Sequence, residues 1–191
     1  MSADQGRPPF TTVCIVSAAV AVAAYWGGLL VVVGTTAVPG WAAGAALLLV
    51  ALAAGIAGRW RRRAAPAPPA TGARRWRWVL SSLTVLGCLT GALADAVATY
   101  HPLKPADAGG CRAVARETAF LFAGSGEVYA GRALGPISVL RRSSSWTADD
   151  GYQPIAAGAY RLTWAPGGGS LVIDDTGVNP VWPALHEVDC G

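Results

Sequence analysis

The sequence has few charged residues. Asp, Glu, Lys and Arg make up only 14% of its 191 residues, whereas soluble domains carry about 25%. Hydrophobic residues account for 53%. A chain with so little charge cannot surround several apolar segments with a polar surface. The composition therefore excludes an ordinary soluble domain and favours an integral membrane protein.

The sequence also has few residues that bind metals or carry out acid–base chemistry. Its two histidines, His101 and His186, and its four cysteines show no spacing typical of a zinc site. The serines at 143–145 lack a Gly-x-Ser-x-Gly frame, and the aspartate pairs at 149–150 and 174–175 lack the spacing of a calcium loop. We therefore predict no metal, no cofactor and no catalytic residue, and we do not expect an enzyme.

Three long runs contain almost no charge. They cover residues 11–33, 41–58 and 78–98, and Asp95 is the one charged residue in them. About 20 apolar residues cross the hydrocarbon of a bilayer, so the runs predict three transmembrane helices with these bounds. A cleaved signal peptide is the alternative for the first run. For Asp95 the alternatives are a polar contact at the outer helix end and an intramembrane proton or ion relay.

Positive charge is concentrated in the segment 59–77, which joins the second and third runs. It has no acid and seven arginines: Arg59, Arg61, Arg62, Arg63, Arg74, Arg75 and Arg77. Because Arg-rich loops stay on the cytoplasmic side, residues 1–10 are predicted to be cytoplasmic and residues 99–191 to lie outside the cell membrane. Membrane lipids are the expected partners of the arginines. Nucleic acid is not expected, because the Pro/Ala spacer offers no folded platform for bases.

Residues after the third run alternate between polar and apolar side chains. A linker rich in Pro and Gly covers 99–110, and strands are predicted at 118–122, 127–134, 137–142, 160–165 and 170–175. The last two strands flank a Pro-Gly-Gly-Gly turn. This pattern predicts a small extracytoplasmic all-β domain over 111–191, built as an antiparallel sandwich or an open barrel.

The four cysteines divide into two pairs. Cys111 and Cys190 bracket the predicted β-domain, and we expect them to form a disulfide because such bonds persist outside the cell. Cys14 and Cys88 lie in apolar runs. The stretch before Cys88 resembles a bacterial lipoprotein signal, so a lipid-modified Cys88 is the alternative to a plain apolar side chain.

Aromatic residues in two polar loops of the β-domain are the candidate binding surface. With the neighbouring histidine they are Trp146, Tyr152, Trp182 and His186. We therefore expect a multi-pass bacterial membrane protein that presents a β-domain outside the cell as a binding module. Its expected partner is an envelope protein or a cell-wall glycan. The alternatives are an accessory subunit of a larger membrane complex and an extracytoplasmic hydrolase that uses His186.

Overall fold

A computed structural model describes residues 9–61, 72–107, 109–175, 177 and 179–190. The chain forms two compact units. The helical unit comprises Met1–Tyr25 and Gly40–Ala92, and the β-unit comprises Trp26–Pro39 and Leu93–Gly191. Arg62 and Arg63 of the predicted cytoplasmic loop lie outside the described residues.

The described residues contain three helices: α1 (Phe10–Trp26), α2 (Gly40–Arg61) and α3 (Gly72–Asp95). Two of them are long and apolar enough to cross a membrane, over Gly40–Gly58 and Arg75–Asp95. Glycines allow close packing within the helical unit. A Cβ at Gly44 would lie 2.7 Å from Cγ2 of Val22, and a Cβ at Gly91 would lie 2.8 Å from Cβ of Trp41. Small residues at helix contacts are typical of packing in lipid.

The first apolar run is not one helix, and the prediction of a helix over 11–33 is wrong in its second part. Helix α1 ends at Trp26, and the run continues as strand β1 (Leu29–Val33), followed by β2 (Thr36–Val38). Gly28 and Gly34 adopt positive φ angles of 79° and 63° on either side of β1. The sequence Leu-Leu-Val-Val-Val is rich in β-branched residues, which favour a pleated strand.

The β-unit is antiparallel, as predicted, but it is larger than the predicted domain. Its remaining strands are β3 (Ala98–Pro102), β4 (Cys111–Phe120), β5 (Ala123–Leu134), β6 (Ile137–Asp149), β7 (Tyr160–Ala165), β8 (Gly168–Ile173), β9 (Val181–Trp182) and β10 (Leu185–Asp189). One sheet has seven strands in the order β2-β1-β6-β5-β4-β3, with β9 beside β6. The second sheet has the order β10-β8-β7. Strand β1 lies in the predicted first helix, and β2 lies between the first two predicted helices. Strand β3 lies mainly in the predicted linker.

Both faces of the seven-stranded sheet carry buried residues. On one face, here called the core face, Ala115, Val128 and Trp146 share a cluster with residues of the three-stranded sheet such as Leu171 and Val188. The opposite face, here called the rear face, carries a second cluster: Leu30, Val32, Val114, Tyr129 and Leu140. Side chains alternate between the faces along each strand, so Val114 and Ala115 belong to different clusters.

The predicted disulfide between Cys111 and Cys190 is confirmed. Their Cα atoms are 6.0 Å apart and the residues are separated by 79 positions. Cys111 begins β4 of the large sheet, and Cys190 directly follows β10 of the small sheet. The bond therefore joins the two sheets that enclose the larger core cluster.

Removing this disulfide should lower the stability of the β-unit. Closing a loop of this length stabilises a fold by about 4–5 kcal/mol in the chain-entropy model. We expect the double substitution Cys111→Ser and Cys190→Ser to lower the free energy of unfolding by about this amount. Urea unfolding in detergent micelles, followed by tryptophan fluorescence, measures the change. The substitution Cys14→Ala serves as the control, and an equal loss in that variant would contradict the prediction.

Candidate functional site

Strand β6 contains a β-bulge at Ser143. Val128 of β5 pairs with Ser144, whereas the next residue, Tyr129, pairs with Arg142, so Ser143 has no partner across β5. The extra residue reverses the alternation of side chains along β6. After the bulge, even-numbered residues such as Trp146 therefore point to the core face. Before the bulge, even-numbered residues such as Leu140 point to the rear face. Bulges often aim side chains in this way beside functional sites.

The hydroxyl of Ser143 connects the two sheets. Its Oγ donates a hydrogen bond to the carbonyl of Glu187 at 2.7 Å and accepts one from the backbone N–H of Asp189 at 3.4 Å. Both partners belong to β10. The residue that the bulge leaves unpaired in the large sheet is thus bonded to the edge of the small sheet.

An open cleft of about 430 Å³ lies beside this connection. The three serines from 143 to 145 form one wall, and the segment Pro183–Asp189 forms the other. Hydroxyl groups, the imidazole of His186 and the carboxylates of Glu187 and Asp189 line it. The cleft is therefore polar, and it offers both donors and acceptors of hydrogen bonds.

Three buried polar atoms of β6 and β10 have no hydrogen-bond partner in the structure. They are Oγ of Ser144, Nε1 of Trp146 and Nε2 of His186, and Oγ of Ser138 is the one other such atom in the part of the chain that the structure describes. The rings of Trp146 and His186 are in contact, with centroids 5.6 Å apart. More than nine in ten buried polar groups are bonded, so these atoms are exceptions in the core behind the cleft.

The imidazole of His186 is held in its neutral form. The residue is 3% exposed, and burial lowers the pKa of its ring, while a hydrogen bond with the backbone of Pro183 offsets part of that effect. A neutral imidazole has one donor nitrogen and one acceptor nitrogen. Nε2 is buried and has no hydrogen-bond partner in the structure.

Among the described residues of the cleft, Ser144 and His186 do not form the nucleophile–base hydrogen bond of a hydrolase site. A nucleophile and its base lie within hydrogen-bonding distance in such sites, whereas Oγ of Ser144 and Nε2 of His186 are both unbonded. Ser143 is bonded to the backbone of β10, and a backbone group rather than a carboxylate orients the histidine. Among the described residues, no group of three His, Cys, Asp or Glu side chains could hold a metal ion.

The four predicted surface residues differ in their exposure. Trp146 is 2% exposed and belongs to the core, so the expectation that its ring contacts a ligand at the surface is wrong. A Cβ at Gly126 would overlap that ring, so the close packing of Trp146 requires glycine in β5. Tyr152 packs against the same core, and His186 lines the cleft. The ring of Trp182, beside Pro183 at the cleft, is 74% exposed.

Asp95 has polar partners at the end of α3. Its Oδ1 accepts a hydrogen bond from Nε of Arg116 at 2.8 Å, and the hydroxyl of Tyr100 donates to Oδ2 at 3.0 Å. Arg116 also donates to the carbonyl of Ala94. The carboxylate is thus part of an ion pair on the rear face, the kind of polar contact that the sequence offered as one of two alternatives.

Glu117 is a buried carboxylate that the sequence did not single out. It accepts hydrogen bonds from the backbone N–H groups of Ile155 at 2.9 Å and Ala156 at 2.8 Å. Burial raises the pKa of this carboxyl, and the two hydrogen bonds and the nearby His101 offset part of that effect. Glu117 therefore fixes the turn after β6 against the core face, and its role is structural.

Comparison of the chain with protein-family models, with curated proteins and with solved structures gives no match. The assignment of a function to the β-unit therefore depends on its own geometry. That geometry places an open polar cleft between β6 and the segment Pro183–Asp189, and the exposed Trp182 directly precedes this segment.

The burial of His186 predicts how stability depends on pH. Its folded-state pKa is lowered from the ordinary value of about 6.5, so the unfolded chain binds more protons between those two pKa values. The free energy of unfolding should therefore fall as the pH decreases through that window. The variant His186→Gln should lose this part of the slope. Urea unfolding between pH 7 and pH 5 measures it.

The variant Ser145→Ala is the matched control, since Ser145 lines the same cleft but does not titrate. It should retain the wild-type slope. An unchanged slope in His186→Gln would show that another group causes the pH dependence.

Proposed function

We propose that this protein is a multi-pass membrane protein whose β-unit lies outside the cell and binds a hydroxyl-rich ligand, a cell-wall glycan, in the cleft beside the bulge. The observation that carries the binding role is the open polar cleft, which is lined by three serines, by His186 and by the carboxylates of Glu187 and Asp189. The connections between helices and strands support the topology.

Three helix ends lead into the same sheet. Strands β1 and β2 connect the end of α1 to the start of α2, and β3 follows the end of α3. If the three helices cross a bilayer, these three ends fall on one side, and the Arg-rich connection between α2 and α3 falls on the other. Positively charged loops remain in the cytoplasm. The sheet then lies outside, where the Cys111–Cys190 disulfide is stable.

The lining of the cleft suits a carbohydrate better than an apolar ligand. Serine hydroxyls and carboxylates can bond to sugar hydroxyls. Trp182, which is exposed, directly precedes Pro183 of the cleft wall in the sequence. An amphipathic indole offers an apolar face to a sugar ring and a donor to its hydroxyls.

Cysteine labelling of intact cells tests the topology. In a background without Cys14 and Cys88, we expect an impermeant maleimide to label Ser145→Cys in whole cells and Ala65→Cys only after lysis. Cys111 and Cys190 should react from outside only after reduction, because they form a disulfide. Labelling of Ala65→Cys in intact cells would contradict the proposed orientation.

Cosedimentation with purified cell-wall glycan tests the binding role. We expect the full chain in detergent to bind, and Trp182→Ala to weaken binding about thirtyfold, which corresponds to the roughly 2 kcal/mol that loss of an anchor residue costs. The control is Trp76→Ala, which removes another exposed tryptophan, from α3. Equal losses in both variants, or no binding by the wild type, would reject the glycan site.

A further inference from the structure

We propose that the tip of the β4–β5 hairpin, formed by Phe120, Leu121 and Phe122, contacts the lipid of the outer leaflet beside α3. This inference rests on the proposed function, because it requires the helices to cross a bilayer. It concerns a surface that is separate from the cleft. It would make the hairpin a second point at which the β-unit is held at the membrane.

The tip exposes three consecutive large apolar side chains. Phe120, Leu121 and Phe122 are 66%, 78% and 80% exposed. Phe120 pairs with Ala123, so Leu121 and Phe122 form a two-residue turn. Leu121 has a φ of 53°, a conformation that such turns usually assign to Gly, Asn or Asp. A bulky apolar residue is uncommon in this strained position, and this marks the tip as a candidate contact surface.

The strand register places the tip at the end of the sheet where α3 arrives. Strand β3 begins three residues after the last residue of α3, and its first residue, Ala98, pairs with Thr118 of β4. The tip begins two residues beyond Thr118. Arg116, two residues before Thr118, bonds to Asp95 and to the carbonyl of Ala94 at the end of α3. The hairpin tip and the helix end are therefore neighbours within the β-unit.

The tip also has the orientation that lipid contact requires. Side chains at every second position of β4 share a face, so Arg116, Thr118 and Phe120 all point to the rear face. Arg116 uses that face to reach the end of α3. Phe120 therefore projects from the same face of the sheet as the helix end.

Neighbouring exposed residues favour lipid over a protein partner. Leu93 in the last turn of α3 and Val97 just after it are both exposed and apolar. They continue the apolar surface of a helix that is itself apolar enough to span a membrane. If α3 crosses a bilayer, lipid meets Leu93 and Val97, which belong to the same unit as the hairpin tip.

Two carboxylates limit how deeply the tip can enter. Asp149 pairs with Ala123, and Asp150 follows it. Ionised carboxylates stay in water or among headgroups, since their transfer into hydrocarbon is costly. Phe and Leu side chains at membrane surfaces reach the boundary between headgroups and acyl chains. We therefore expect contact at that shallow depth and not at the centre of the bilayer.

Fluorescence quenching by lipids tests this inference on the full chain. The variant Phe122→Cys, without Cys14 and Cys88, is labelled with an environment-sensitive dye and reconstituted into phosphatidylcholine vesicles. Bromine is placed either near the headgroup or deep in the acyl chain. We expect a loss of fluorescence with shallow bromine and a smaller loss with deep bromine.

Two further labelled positions make the result decisive. Ile137→Cys is exposed at the opposite end of the sheet, where Ile137 pairs with the far end of β1, and its dye should not be quenched. Leu89→Cys is exposed on α3, and its dye should be quenched if that helix crosses the bilayer. Quenching at 89 without quenching at 122 would overturn the inference and leave the proposed topology intact. Absence of quenching at 89 would overturn both.

A crosslinking experiment in cells separates lipid from protein. A benzophenone attached at Phe122→Cys should yield lipid adducts after illumination. If it yields a discrete protein adduct instead, the tip is a docking site for a protein and the lipid inference is rejected.

Discussion

The bulge at Ser143 is the constraint on which the β-unit depends. Strand β6 pairs with β5 along most of its length, with β1 before the bulge and with β9 after it. The extra residue lets the first half of β6 bury Leu140 on the rear face, while the second half buries Trp146 on the core face. The same residue bonds to β10 and so brings the small sheet against the large one. Without it, one of the two clusters would lose its contribution from β6.

The polar groups of the β-unit show how local environment separates structural roles from candidate functional ones. Glu117 is fully buried, and two backbone N–H groups bind its carboxylate. Asp95 is matched by Arg116 and Tyr100. Each carboxylate has partners that account for its burial. His186 differs, because its residue lines an open cleft and one of its ring nitrogens has no partner in the structure. The open polar cleft beside it distinguishes the candidate site.

Local sequence patterns predicted part of this fold. The hairpin of β7 and β8 was predicted from alternation around a glycine turn, and the disulfide from cysteine position and expected compartment. Strand β1 was missed because a continuous apolar run has the same appearance in a buried strand and in a helix, although the Gly27-Gly28 pair and the following valines were a usable signal. The bulge and the partners of Glu117 depend on residues far apart in the chain, and no local pattern contains them.

The position of β1 also determines the order in which the β-unit can be completed. Leu29 pairs with Arg141, more than one hundred residues further along the chain. The hairpin of β1 and β2 therefore cannot join the sheet until β6 has formed. Before β1 pairs with β6, the edge of β6 exposes unpaired backbone groups, and such groups favour association with other chains. The pairing of β5 with β6 is local and can form early. The β1–β2 hairpin then pairs with the exposed edge of β6. The segment between the first two helices thus joins the sheet last, and it covers an edge that would otherwise pair with other chains.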